Sequence, residues 1–333
     1  MADNLEEQNT QDPAIDVALR PTAWNDYVGQ EKIKDNLRLI IEAAKQRKES
    51  CDHLLFYGQA GLGKTTLAYL IGKEMGVSVR TTSGPALEKA GDIAAILSNI
   101  EPHEILFIDE AHRINKLAEE VLYPALESRK LHLIVGKGPS ARMLSLDLPP
   151  FTVIAATTKV NLVSSPLRSR FGGVFHLDYY RPDDIEKIVR RSAQILGADI
   201  DKRAIAILAA AARFTPRVAN RLLKRSRDYA QVHNENKIDE GAVVKTMEML
   251  EIDSLGLEQT DRRLLEVLIK KFNGGPVGIK SIATALNEDV GTIEDVIEPF
   301  LVTTGLLHRT PLGRVATVAA YDHLGISRGK NLI

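Results

Sequence analysis

Short apolar runs alternate with helix-like stretches over the first half of the chain. Five of these runs have the length and apolar character of β-strands, and the stretches between them have the spacing of helices. The runs cover residues 53–57, 77–81, 105–108, 151–157 and 174–177. Such alternation predicts a parallel sheet covered by helices, so we assign residues 19–181 to an α/β domain.

From residue 182 onward the pattern is helical alone. Four segments repeat apolar residues at spacings of three and four, and acidic residues near their starts suit the positive ends of helices. These segments cover residues 183–197, 201–214, 216–231 and 239–250. The pattern predicts a small all-α domain over residues 182–253.

A third pattern begins near Ser254 and predicts a winged-helix domain over residues 254–333. Three segments have the apolar spacing of helices, and they cover residues 260–272, 279–286 and 292–305. Residues 306–317 then have the pattern of a hairpin that turns around Pro311-Leu312-Gly313. Three helices followed by a hairpin are typical of winged-helix domains.

Composition sets limits on this organisation. With 333 residues, 44% of them hydrophobic and 26% charged, the chain has the size and character of a multidomain globular protein. Its apolar runs are well short of the roughly 20 residues that a membrane span needs, so we expect no membrane segment. Residues 1–18 carry five acids and no base, which fits no secretion signal and predicts a disordered acidic tail.

The lone cysteine and the balance of charge restrict location and partners. Cys51 cannot form an intrachain disulfide or a cysteine zinc site, which fits a cytoplasmic location. A net charge of −1 argues against general coating of nucleic acid. Positive charge is concentrated in residues 202–227, which hold eight Lys or Arg residues, so any nucleic-acid contact there should be regional.

Residues 58–66, GQAGLGKTT, match the phosphate-binding pattern G-x-x-x-x-G-K-[ST] between a predicted strand and a predicted helix. Glycines allow backbone N–H groups to point inward at a polyphosphate, and the start of the helix adds positive potential. Lys64 can reach the β- and γ-phosphates, and Thr65 supplies a hydroxyl for Mg²⁺. The segment therefore predicts a site for ATP.

The segment ILFIDEAH, residues 105–112, predicts the hydrolytic half of the same site. Its strand ends in Asp109, which places a carboxylate beside the metal at the carboxyl edge of the sheet. Glu110 can orient or deprotonate the attacking water, so the pair favours hydrolysis over mere nucleotide binding. His112 fits either a structural hydrogen bond or a role in coupling.

The letters DEAH also occur in DEAH-box helicases, which carry two motor cores and place the arginine finger on the second. Here mostly helices follow residue 177, and the arginines come early, in SPLRSRFG at residues 165–172. The strand before them ends in hydroxyls around Thr158, which can reach the γ-phosphate or the water. Arg168 and Arg170 fit either a solvated helix end or an arginine finger. The sequence therefore predicts a single core.

This order of motifs resembles the AAA+ ATPases, whose P-loop core carries a helical lid. In that family an arginine at the position of Arg170 enters the neighbouring subunit's site, so the catalytic centre forms only in an oligomer, usually a ring. Arg217, at the start of a lid helix, matches the family's second sensor. The resemblance implies that Arg217 contacts the γ-phosphate and ties the lid angle to the nucleotide state.

From Leu19 to His323 the chain is similar to the RuvB family of Holliday-junction branch-migration motors. The similarity rests on the segments LRPTAWNDYVGQ, RTTSGPALEKAGD, LFIDEAHRI, SPLRSRFG, TPRVANRLLKR, FNGGPVG and RTPLGR. Gln59-Ala60 departs from the family's usual Pro-Pro, which could alter nucleotide affinity. The resemblance implies a hexameric ring around duplex DNA, with ATP and Mg²⁺ as cofactors.

The resemblance also implies a role for each matching position at the nucleotide. Glu110 would act on the water, Asp109 and Thr65 would hold Mg²⁺, and Arg170 would serve a neighbour's site. The other positions expected around ATP are Leu19, Arg20, Gly61, Gly63, Lys64, Thr66, Glu127, Ser128, Arg129, Thr158, Tyr180 and Arg217.

Two hairpins are candidate interaction sites. Arg309 and Arg314 flank the turn of the last hairpin, and the resemblance implies that they grip DNA phosphates without reading bases. Two ordinary surface arginines are the alternative. Residues 131–148 predict an earlier hairpin with apolar residues on both faces. It is either buried in the fold or, as the resemblance implies, docks onto RuvA, the junction-binding partner. Contact with the RuvC resolvase stays open.

Two rival functions remain. A clamp-loader or initiator-type AAA+ ATPase would share the first two domains but would lack this hairpin together with this winged-helix domain. A winged-helix transcription regulator that uses ATP as a switch would not need Glu110.

Overall fold

The computed structural model describes residues 17–135, 142–233 and 237–327. The chain divides into two compact units. The first extends to Ile195 and includes residues 215–217, and the second comprises residues 196–214 and those from 218 onward. The predicted acidic tail lies almost entirely outside the described residues. Within them, no helix is both long and apolar enough to cross a bilayer.

A five-stranded parallel sheet forms the centre of the first unit. Its strands, together with a separate antiparallel pair, are β1 (Leu54–Tyr57), β2 (Val79–Ser83), β3 (Ile105–Asp109), β4 (Lys130–Val135), β5 (Arg142–Asp147), β6 (Thr152–Thr157) and β7 (Gly173–His176). The order in the parallel sheet is β2-β3-β6-β1-β7. The five predicted strands and the parallel sheet are confirmed, with strand ends that differ by at most two residues.

Helices pack around this sheet and explain its apolar sequence. They are α1 (Glu31–Arg47), α2 (Lys64–Met75), α3 (Ala90–Leu97), α4 (Lys116–Ser128), α5 (Ser165–Arg168) and α6 (Pro182–Ile195). All six residues of β6 are buried, as are the first four of β3. Continuous apolar strands of this kind are expected where both faces of a parallel sheet are covered.

Strands β4 and β5 form a two-stranded antiparallel sheet, which confirms the predicted hairpin. Leu131 at its base is buried, whereas Met143 and Leu144 on β5 are 72% and 47% exposed. The predicted turn, residues 136–140, lies outside the described residues. The hairpin is therefore neither wholly buried nor wholly free, since its base packs on the fold and β5 carries apolar side chains in solvent.

The second unit combines helices with a small hairpin. Its elements are α7 (Lys202–Ala210), α8 (Pro216–Val232, whose first two residues count with the first unit), α9 (Glu240–Met249), α10 (Gln259–Phe272), α11 (Ile279–Leu286), α12 (Val290–Thr292), a π-helical turn (Ile293–Ile297), α13 (Glu298–Thr303), β8 (Leu307–Thr310), β9 (Gly313–Ala316) and α14 (Val318–Leu324). The predicted helices and hairpin are present. A π-helical turn interrupts the predicted helix over residues 292–305, next to Pro299, which has no N–H to donate.

A buried ion pair ties the helical part of the second unit to its winged-helix part. The Arg213 guanidinium bonds both carboxylate oxygens of Asp261, at 2.7 and 3.4 Å, and lies 4.2 Å from the centroid of the Phe300 ring. Asp261 is only 1% exposed and also caps α10 by accepting the Glu258 N–H at 2.8 Å. Removing one member of such a pair leaves an uncompensated buried charge, which costs about 3–5 kcal/mol.

Candidate nucleotide site and arginine cluster

The loop between β1 and α2 needs glycine at two positions. Gly61 and Gly63 have φ values of +82° and +97°, which side-chain-bearing residues rarely adopt. A Cβ on Gly61 would lie 2.9 Å from the Cβ of Arg217, and one on Gly63 would lie 2.8 Å from the Tyr27 hydroxyl. The loop therefore runs close to the start of α8, and Arg217 stands at the P-loop of its own chain.

Lys64 begins α2 and is folded back onto the loop. Its Nζ donates to the carbonyl oxygens of Gly58 at 2.7 Å and Gln59 at 2.8 Å, and the residue is only 8% exposed. Burial lowers the pKa of Lys64 to about 8, an effect that Asp109 partly offsets and Arg217 reinforces. A charged amine held in this way gains from an anionic ligand, which is the electrostatic condition for binding a polyphosphate.

Asp109 and Glu110 lie where the chain leaves β3. A carboxylate oxygen of Asp109 accepts the Glu110 N–H at 2.9 Å. Glu110 has a left-handed backbone, with φ 49° and ψ 44°, and its half-exposed carboxylate bonds Arg113 at 3.1 Å. Both acids thus stand at the carboxyl edge of the sheet, the edge where the P-loop also leaves β1.

His112 connects this turn to the turn that follows β6. Its Nδ1 lies 2.9 Å from Oγ1 of Thr157, and the same hydroxyl accepts the Lys159 N–H at 2.9 Å. Thr158, the predicted sensor, lies between Thr157 and Lys159 in the sequence and is exposed. His112 therefore has a structural hydrogen bond, and its role in coupling stays a prediction.

Two buried tyrosines, Tyr27 and Tyr180, contact the P-loop at the Leu62 carbonyl. The Tyr180 hydroxyl lies 3.3 Å from that of Tyr27 and donates to the Leu62 carbonyl at 3.2 Å. Burial raises the pKa of Tyr180 to about 12, so the phenol stays neutral. Of the other predicted adenine-side residues, Leu19 is buried and Arg20 lies 5.4 Å from the ring centroid of Tyr69. Sequence reasoning did not single out Tyr27, although it lies in the quoted LRPTAWNDYVGQ segment.

Arg170 belongs to a second cluster. Its Nη2 donates to Glu127 at 3.1 Å, its Nη1 donates to the Pro166 carbonyl at 2.5 Å, and the guanidinium lies 4.7 Å from the centroid of the Tyr123 ring. In the part of the chain that the structure describes, its Nε is buried without a hydrogen-bond partner. Ser128 ends α4 beside this cluster, and Arg129 follows with a left-handed backbone.

The second cluster lies at the opposite edge of the sheet from the P-loop. Glu127, Arg129 and Arg170 line a polar cleft of about 470 Å³. The cleft is also lined by residues that lie one or two positions before strands, namely Asp52, His53, His103, Phe151 and Gly172. Residues before parallel strands mark the amino edge, and four-residue β1 separates the two edges by about 13 Å. The structure therefore brings Glu127, Arg129 and Arg170 to each other and not to Lys64.

The protein groups near the P-loop fit a nucleotide-bound Mg²⁺. Among the described residues, no three His, Cys, Asp or Glu side chains are grouped to hold a metal ion by themselves. Mg²⁺ at a nucleotide usually takes one or two protein ligands, and phosphates and waters supply the others. The Thr65 hydroxyl in the first turn of α2 and the Asp109 carboxylate are oxygen donors of the required kind.

The predicted DNA-binding arginines share one buried partner. Arg309 and Arg314 face each other across β8 and β9, and both bond Glu298, at 2.7 and 2.9 Å. Burial acts to raise the pKa of Glu298, but hydrogen bonds from both arginines outweigh it, so the pKa lies below its ordinary value. The Arg314 side chain is 13% exposed and that of Arg309 57%. Arg309 is thus accessible to a phosphate, whereas Arg314 is largely buried in the β8–β9 hairpin, which we call the wing.

The basic stretch at residues 202–227 is mostly neutralised by nearby acids. The ion pairs are Arg203–Glu240, Arg213–Asp261, Arg221–Glu258, Arg225–Asp228 and Arg227–Asp228. Most of the basic residues in this stretch are therefore paired with acids of the same chain, and they do not form an unpaired positive surface for nucleic acid.

A P-loop, an Asp-Glu pair at the same sheet edge and a following helical region define a P-loop ATPase of the AAA+ type. Family comparison narrows this class. Residues 19–177 match the "Holliday junction DNA helicase RuvB P-loop domain", residues 180–253 the "RuvB AAA lid domain", and residues 254–325 the "RuvB C-terminal winged helix domain". The chain belongs to the RuvB family.

Individual relatives agree with this assignment. The chain is 53% identical over 317 residues to the Holliday junction branch migration complex subunit RuvB of Dehalococcoides mccartyi, covering 95% of this chain and 91% of that protein. The structure resembles the Thermotoga maritima RuvB Holliday junction branch migration motor with a TM-score of 0.84 and 43% identity, covering 93% of this chain and 99% of the other. The P216G variant of the Thermotoga maritima protein has a TM-score of 0.85 to this structure and is 43% identical. The match covers 92% of this chain and 99% of the variant.

Proposed function

We propose that this chain is an ATP-driven DNA motor that forms a ring around duplex DNA and drives branch migration of Holliday junctions in recombination and repair. One observation carries the proposal. RuvB P-loop, lid and winged-helix domains follow one another over residues 19–325, and the P-loop lies at the same sheet edge as Asp109 and Glu110. The complete set of three domains favours this function over a clamp loader or initiator.

The residues at the carboxyl edge supply the steps of hydrolysis. Backbone N–H groups of the P-loop and Lys64 would bind the β- and γ-phosphates. Glu110 would leave Arg113 and accept a proton from the attacking water. The water oxygen then bonds to the γ-phosphorus while the bond to the bridging oxygen breaks, and ADP and phosphate result. Mg²⁺ held by Thr65 and Asp109 would neutralise charge on the phosphates.

The place of Arg170 supports an oligomeric active site. Because Arg170, Glu127 and Arg129 lie at the amino edge, they are too far from Lys64 to share one nucleotide with it inside a single chain. We infer that they face the nucleotide of a neighbouring subunit, as expected in a closed ring. A hexamer is the ring size that the family resemblance favours.

Movement of DNA would follow from the sensor and the wing. Arg217 packs against Gly61, so its contacts can change with the nucleotide, and Arg309 offers an exposed guanidinium to a DNA phosphate. Branch migration breaks and forms equal numbers of base pairs, each stacking step worth about 1.4 kcal/mol in either direction. ATP would therefore be needed mainly for direction and for passing mismatched sequence.

We also propose protein partners and a cellular location for this chain. The exposed apolar side chains Met143 and Leu144 suit docking of RuvA, the junction-binding partner. The resemblance to RuvB makes RuvC a candidate for a further contact. A cytoplasmic location fits the single free and buried Cys51.

The experiment that tests this function uses a labelled synthetic four-way junction, the purified chain and its cognate RuvA. With ATP and Mg²⁺ we expect dissociation of the junction into two duplexes, and with Lys64→Ala we expect none. Failure of the wild-type chain to dissociate the junction under conditions where it hydrolyses ATP would overturn the motor assignment.

A further inference from the structure

Three polar side chains lie on one face of α4, the helix whose Tyr123 and Glu127 contact the guanidinium of Arg170. Glu119, Tyr123 and Glu127 follow each other at intervals of four residues, so they share one side of the helix. We name them the α4 stripe. Two of its members contact Arg170, Tyr123 with its ring face and Glu127 with its carboxylate.

The third member, Glu119, anchors the stripe to the segment that carries Arg170. It is only 7% exposed, and its carboxylate accepts the Ser164 hydroxyl at 2.8 Å and the Tyr123 hydroxyl at 3.2 Å. The Ser164 hydroxyl in turn accepts the Leu167 N–H at 3.2 Å and so caps α5. The orientation of the Tyr123 ring and the start of α5 are therefore fixed by one buried carboxylate.

Contacts with Arg170 are unequal in character. Glu127 is exposed and its pairing with Arg170 can be exchanged for another anion at little cost. The Tyr123 ring is half-buried and cannot leave without breaking the bonds to Glu119 and Ser164. The ring is thus the fixed surface on which the guanidinium lies, and Glu127 is the anion that a phosphate would replace.

We propose that Tyr123 is a positioning residue for Arg170, whose ring face holds the guanidinium at the height and angle required by a neighbouring subunit's γ-phosphate. This inference rests on the proposed function, in which Arg170 acts on a neighbour's nucleotide. Tyr123 itself touches no substrate. Its effect should therefore appear in the rate of hydrolysis and not in the affinity for ATP.

Steady-state ATPase assays of four variants test the inference. Tyr123→Phe keeps the ring face but loses the hydroxyl's bonds to Glu119 and Ser164, so kcat should fall, and by less than in Tyr123→Leu. Tyr123→Leu removes the ring and should lower kcat about tenfold with an unchanged KM, the size expected for losing one desolvated cation–π contact. Tyr229→Leu, which removes a similarly half-buried tyrosine of the second unit, is the matched control and should leave kcat unchanged. Arg170→Ala gives the rate without the finger.

Mixed rings separate positioning from a fold defect. Lys64→Ala subunits cannot hydrolyse ATP but present an intact Tyr123 and Arg170. Mixed with Tyr123→Leu subunits, they should restore hydrolysis above the sum of the separate rates. Mixed rings of Tyr123→Leu and Arg170→Ala should not. No restoration by Lys64→Ala subunits would overturn the inference.

Two further outcomes separate this inference from the proposed function. If Arg170→Ala is inactive but Tyr123→Leu keeps the wild-type kcat, Tyr123 does not position Arg170. If Arg170→Ala itself hydrolyses ATP at the wild-type rate, the neighbouring-subunit finger is wrong instead. Should Tyr123→Leu not fold, phenylalanines carrying one to three ring fluorines at position 123 keep the ring and weaken its negative face. The inference then requires kcat to fall with each added fluorine.

Discussion

Lys64 and Glu298 are both buried charges, and they differ in what surrounds them. Lys64 has two carbonyl oxygens as hydrogen-bond partners and a pKa lowered to about 8 by burial. Glu298 has two guanidinium groups, and its pKa is lowered despite burial. The charge of Lys64 is therefore only partly compensated, by Asp109, until an anion binds. The charge of Glu298 is already compensated by two arginines in the folded structure.

Lys64→Met should separate stability from binding. The substitution keeps the apolar stem and removes a buried charge, so the free energy of unfolding without nucleotide should stay equal or rise by about 1 kcal/mol. Binding of ATP should be strongly weakened, because only the backbone N–H groups of the P-loop then reach the β- and γ-phosphates. Urea unfolding and fluorescent-nucleotide titration measure the two effects. A loss of stability of several kcal/mol would show that Lys64 is a scaffold residue.

Glu298→Gln should lower stability in a pH-dependent way. At neutral pH the loss of the buried charge leaves two arginines poorly paired, at a cost of about 3 kcal/mol. Since the folded pKa of Glu298 lies below its ordinary value of 4.5, its contribution is present above that value and is lost as pH falls through the folded pKa. The difference between wild type and variant should thus be full well above the ordinary pKa of 4.5 and should shrink as the pH falls below it and through the lower folded pKa. A difference independent of pH would contradict this account.

The two wing arginines should give different phenotypes. Arg309→Ala should weaken binding to all duplex sequences and lower the slope of log affinity against log salt by about 0.9, because one phosphate contact is lost. Arg314→Ala should mainly lower the melting temperature, since its side chain bonds Glu294 and Glu298. Fluorescence anisotropy over a salt series and thermal unfolding distinguish them. Equal effects in both assays would disprove the division of roles.

At the scale of secondary-structure elements, the β4–β5 hairpin exposes apolar side chains on β5 that do not pack into the core. Leu144 is 47% exposed, so Leu144→Asp should change the free energy of unfolding by no more than about 0.5 kcal/mol and leave basal ATPase activity intact. It should abolish RuvA-dependent junction dissociation. The adjacent, exposed Ser145→Asp carries the same charge as a control. Full junction activity of Leu144→Asp would exclude Leu144 from the RuvA contact.

Strands and helices could be predicted because their apolar periodicity is local, and the P-loop could be predicted because its chemistry is contiguous. The side-chain contacts that determine each residue's role could not be predicted. No sequence pattern indicates that Glu298 on α13 bonds both Arg309 and Arg314. The α4 stripe from Glu119 to Glu127 has helical spacing in the sequence, but its contacts with Ser164 and Arg170 can be known only from the structure. The division into residues 19–181, 182–253 and 254–333 stays a prediction.

In the molecule as a whole, the groups that we propose for catalysis are divided between two edges of one sheet. Lys64, Asp109 and Glu110 lie at the carboxyl edge, and Arg170 lies at the amino edge with Glu127. A single chain therefore cannot assemble the complete site that the proposed mechanism requires. Hydrolysis by the proposed mechanism therefore requires neighbouring subunits, and each subunit should contribute to two different sites.

The most direct test is ATP hydrolysis by mixed rings of Lys64→Ala and Arg170→Ala subunits, measured on junction DNA. Each variant alone should be inactive, the first because it lacks the phosphate ligand and the second because it lacks the finger. In the mixture, an Arg170→Ala subunit keeps an intact P-loop and can receive Arg170 from a Lys64→Ala neighbour, so hydrolysis should reappear. A mixture that stays as inactive as its components, although the subunits assemble together, would contradict the shared site.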